Sequence, residues 1–64
     1  MQMKQAHKQA AAESKAGSIR YVVYILDEGT DVYDADQARR YGPLIMIEAA
    51  YLGGVQIATT VVSA

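Results

Sequence analysis

Between Ser18 and Asp27 apolar side chains fall on both phases of a two-residue period. Tyr21, Val23 and Ile25 take one phase, and Val22, Tyr24 and Leu26 take the other. A strand apolar on both faces is covered on both faces, so the pattern predicts a central β-strand. Asp27-Glu28-Gly29 predicts a turn in which glycine can adopt positive φ. Thr30 to Tyr33 then reads as a short return strand. Asp34-Ala35-Asp36-Gln37 has the spacing of a capping box, with Asp in place of Ser or Thr. It predicts a helix over 35–41 that stops at Gly42 and Pro43. On that helix Ala35, Ala38 and Tyr41 are expected to face inward, and Asp36 is spaced to pair with Arg40. Arg39 and Arg40 suit the negative end of the helix dipole.

Residues 44–52 fit either a strand or a helix framed by Pro43 and Gly53. The strand is favoured, with Ile45, Ile47, Ala49 and Tyr51 on one face. Gly53-Gly54 then forms a two-residue hairpin turn. Val55, Ile57, Thr59 and Val61 are expected on one face of the last strand, whose Val, Ile and Thr content suits β structure. Residues 2–16 are rich in helix formers, but their apolar stripe is only Met3, Ala6 and Ala10, so a helical or disordered arm is expected. The reading is an α+β fold: an N-terminal arm over 1–17, then a small antiparallel sheet in the order β-β-α-β-β over 18–64.

Length sharpens this picture. A chain of 64 residues is one small domain, and such a domain buries only about 60% of its unfolded surface. It has no cysteine and one histidine, which excludes disulfides and a Cys/His zinc site within one chain. A partner chain is the remaining common source of stability. The net charge of −1 hides an asymmetry. Residues 1–17 carry Lys4, Lys8 and Lys15 against Glu13, and the rest carries six acids against Arg20, Arg39 and Arg40. No secretory leader is apparent and no cysteine argues for an oxidising compartment, so a cytoplasmic location is expected.

The densest chemical feature is the acidic run Asp27, Glu28, Asp31, Asp34 and Asp36. Its spacing does not match a calcium-binding EF-hand loop. Turn solvation and helix capping account for much of it. Alongside Tyr33, it also makes an anionic surface suited to a basic face of another protein. His7 reads as an exposed bystander, and neither a catalytic triad nor a phosphate loop is present. A conventional enzyme is therefore not expected, nor is a cofactor or metal.

Three functional readings follow. The first is a non-catalytic protein-interaction module that binds through Asp27, Glu28, Asp31, Tyr33, Asp34 and Asp36. Small accessory or inhibitor proteins of mobile elements share this general profile of shortness and an acidic body. The second is a nucleic-acid-binding module using the basic arm with Arg39 and Arg40. The third is a small membrane or assembly protein anchored by residues 44–64, where Glu48 is the single charge. Finally, the uncharged stretch from Val55 to Val62 predicts a homodimer joined through Val55, Ile57, Thr59 and Val61.

Overall fold

The computed structural model describes residues 1–59, without the side chains of Ala58 and Thr59. Strand β1 (Arg20–Ile25) lies between β2 (Gly29–Asp34) and β3 (Ile45–Leu52), and β4 (Val55–Thr59) pairs outside β3. The sheet order is β2-β1-β3-β4, with every neighbour antiparallel. Helix α1 (Met3–Ser14) precedes the sheet, and the short α2 (Ala35–Arg40) joins β2 to β3 through a 3-10 turn at Gly42–Leu44. The fold is α+β, and β1 holds the central place that its two apolar phases imply.

The two phases of β1 meet different cover. Val22 pairs across the sheet with Val32 and Ala49 and packs under Ala6 and Ala10 of α1. These two alanines are fully buried. A methyl-sized contact lets the helix lie close on the sheet without a long apolar stripe. Val23 faces the other way, beside Asp31 and Ile47, and is also fully buried. Burying one such valine contributes roughly 1.5–3 kcal/mol. Among the described residues the largest fully buried side chains are Val22, Val23 and Ser14, so the core is thin.

Ser14 fastens the end of α1 to the β3–β4 hairpin. Its hydroxyl donates to the Ala11 carbonyl at 2.9 Å and accepts from the Gly54 N–H at 2.9 Å. Its carbonyl accepts from the Gly53 N–H at 2.9 Å and from Gly17 at 3.0 Å. Gly53 and Gly54 sit at φ +63° and +84°, as a tight turn between right-twisted strands requires. A Cβ on Gly54 would come within 2.9 Å of the Lys15 side chain.

Two bulges change the expected faces. Val22 pairs with Ala49 but Val23 pairs with Ile47, which leaves Glu48 as an extra residue. Ile45 and Ile47 therefore share the side of Val23 and Ile25, while Ala49 and Tyr51 lie under α1. The single face expected for these four residues is split. In β4, Tyr51 pairs with Gln56 and Ala50 with Ala58, so Ile57 is the extra residue. The strict alternation expected through Val55, Ile57 and Thr59 breaks there. Val61 lies outside the described residues. An inserted residue reverses the alternation beyond it.

Helix α2 is one residue shorter than expected, and Tyr41 occupies its C-cap. The capping box is present: Asp34 Oδ1 accepts from the Gln37 N–H at 2.8 Å, and Gln37 Oε1 accepts from the Asp34 N–H at 3.0 Å. Of the three residues expected inward, Ala38 is buried, whereas Ala35 is exposed where the chain leaves the sheet edge and Tyr41 is 38% exposed. Asp36 pairs with Arg39, not Arg40. Positions three and four apart both neighbour Asp36 on the helix face, and the Arg39 guanidinium is the one that meets it. Among the described residues no helix is long and apolar enough to cross a membrane. Residues 45–59 of the proposed anchor form the β3–β4 hairpin.

Candidate functional site: an acidic, tyrosine-lined groove

On the sheet face opposite α1, the short α2 covers the β2 side and leaves a groove of about 450 Å³ beside it. Ile25, Ile45 and Leu44 supply apolar walls, and Glu28 and Asp31 supply carboxylates. Tyr33, Gln37 and Tyr41 complete the lining. Register explains the assembly. Tyr33 pairs with Tyr21 and Asp31 with Val23, so Asp31 and Tyr33 share the face of Ile25. The bulge at Glu48 keeps Ile45 on that same face, opposite Ile25.

The tyrosines are arranged differently from a simple exposed pair. Tyr33 is half-buried, and its ring lies 5.8 Å from that of Tyr41 with the planes tilted by 51°. Capping by Asp34 turns the chain back, so that Tyr41 covers one side of the ring. Desolvation, then the nearby charges of Asp31 and Glu28, and Tyr41 last, hold the Tyr33 phenol above its ordinary pKa.

The acidic run divides by role. Glu28 and Asp31 face the groove. Asp31 belongs to β2 rather than to the turn, and its Oδ1 accepts from the Val32 N–H at 2.7 Å. Asp27 stands exposed in the turn at φ +70° and does not line the groove. Asp34 caps α2 and Asp36 pairs within it. Local structure on α2 thus takes up Asp34 and Asp36 of the six expected binding residues. Sequence reasoning missed Gln37, Tyr41, Leu44, Ile25 and Ile45 as lining. Only Tyr41 carried a usable signal, through its position at the end of a capped helix. Among the described residues no three acidic or histidine side chains converge to hold a metal ion.

Two further places bear on function. Val55 and Ile57 on β4 are 64% and 53% exposed. His7, expected to be a bystander, is half-buried with its Nδ1 at 2.6 Å from the Tyr51 hydroxyl and its ring edge-on at 5.6 Å. The Tyr51 hydroxyl donates to Gln56 Oε1 at 3.2 Å. This chain of contacts ties α1 to β3 and β4. The whole chain matches no protein-family model, no curated protein and no solved structure.

Proposed function

We propose that this chain is a non-catalytic protein-interaction module that takes a basic, partly apolar segment of another protein in the groove beside α2. The observation that carries the reading is the convergence of Glu28 and Asp31 with Tyr33, Tyr41 and three aliphatic walls on one concave face. A lysine or arginine would find carboxylates at the rim and aromatic faces beside them. A neighbouring aliphatic residue would bury against Leu44, which is 67% exposed without a partner segment. An accessory or inhibitor role fits this chemistry, because charge complementarity steers encounter and selects among partners.

The nucleic-acid reading has less support. Lys4 and Lys8 are on α1 and Lys15 caps its end, whereas Arg39 and Arg40 are on α2 across the sheet. They do not form one continuous stripe.

The test uses the five tyrosines as the fluorescent probe, since the chain has no tryptophan. The chain is titrated with a short Arg-Leu peptide and with the same peptide carrying Glu for Arg. Saturable, salt-sensitive binding of the first alone is expected, weakened about tenfold in the double variant Glu28→Gln, Asp31→Asn. Equal binding of both peptides, or an unchanged affinity in the double variant, overturns the reading.

A further inference from the structure

We propose that β4 is the seam of a two-fold symmetric dimer, in which a second copy of this chain continues the four-stranded sheet antiparallel into eight strands. The inference is independent of the groove, which lies beside α2 near the opposite edge.

The sheet has two edges, β2 and β4, and their charges distinguish them. In a two-fold antiparallel seam each strand meets its own sequence reversed. Strand β2 carries Asp31 and Asp34, so a self-paired seam there would bring these carboxylates near their own copies, and like charges held close destabilise a strand pair. On β4 residues 55–59 read Val-Gln-Ile-Ala-Thr, with no charge and no proline. Nothing in that strand repels its own copy. Natural sheets protect an edge with charge, proline, a bulge or a covering element. Strand β4 has a bulge at Ile57, which bends it, but neither charge nor proline. Among the described residues no strand pairs on its outer side.

The side chains agree with the backbone. Leu52, Val55 and Ile57 are all exposed around this edge, and a partner strand would cover part of that area. The need for a second copy arises in the core, where among the described residues no buried side chain larger than valine is fully enclosed. A domain of this size without disulfides gains from subunit association. A second copy is the occupant that this neutral edge accepts and the acidic edge rejects.

Size-exclusion chromatography with light scattering reads the proposal directly. The wild-type chain is expected at the mass of two chains, dissociating on dilution. The double variant Val55→Lys, Ile57→Lys places cations at two exposed positions and is expected to raise the dimer dissociation constant at least about tenfold, with unchanged far-ultraviolet circular dichroism. A single-chain mass for the wild type at every concentration overturns the proposal. So does a larger open-ended assembly, or a dimer that the double variant leaves intact. If the variant loses its fold, hydrogen exchange of the wild type decides. Protection of β4 amides that falls on dilution, with β2 amides unchanged, supports the seam; protection independent of concentration overturns it.

Discussion

The two faces of the sheet are covered in opposite ways. On one, α1 presents Ala6 and Ala10 to Val22 and Ala49, and the contact is closed. Its polar groups are tied off: Ser14 meets Gly53 and Gly54, and His7 meets Tyr51. On the other face, six residues of α2 lie over β2 and part of β1, and a groove remains beside them. A twelve-residue helix with small side chains seals a face, whereas a short capped helix bearing a tyrosine at its end leaves space next to it. The closed face holds the fold together, and the open face offers chemistry.

That contrast is broken most strongly at the closed face. Ala10→Leu forces three extra carbons into a contact with no free space and is expected to destabilise the chain by about 2–3 kcal/mol in urea unfolding. A loss well below that would mean that α1 is loosely seated. Ser14→Ala removes the acceptor of the Gly54 N–H and should cost about 1–2 kcal/mol. An unchanged midpoint would show that water replaces the hydroxyl at that turn.

The smallest effect sharpens the open face. Tyr33 has its pKa raised in the folded state, so between the ordinary tyrosine value and the raised one the folded chain binds more protons than the unfolded chain. Its contribution is complete below pH of about 10 and declines as pH rises through the folded value. In an ultraviolet titration, Asp31→Asn should move the Tyr33 transition part of the way back, because desolvation is the larger cause and stays. A transition unmoved by the substitution would place the Asp31 charge away from the phenol.

Much of the fold was legible because its signals are local. The two apolar phases of β1, the turn at Gly29, the capping box of Asp34 and Gln37, and the hairpin at Gly53-Gly54 each depend on residues within a few positions. The bulges at Glu48 and Ile57 were not legible. Each arises from how two strands fit a twisted sheet, and each inverts the face of everything beyond it. His7 and Ser14 were missed for a related reason, since their partners are 44 and 40 residues away. Of the groove, Glu28, Asp31 and Tyr33 were visible as part of an acidic run. Its aliphatic walls, Ile25, Leu44 and Ile45, are indistinguishable in sequence from ordinary core.

The sequence by itself determined the first hairpin, the capped turn into α2, the central place of β1 and the uncharged character of β4, because propensity, capping and charge act over short spans of chain. Only the tertiary structure decided which acids share a concave face, which tyrosine is half-covered and which edge lies outermost. Those outcomes follow from strand register, and register is set by packing the whole sheet at once.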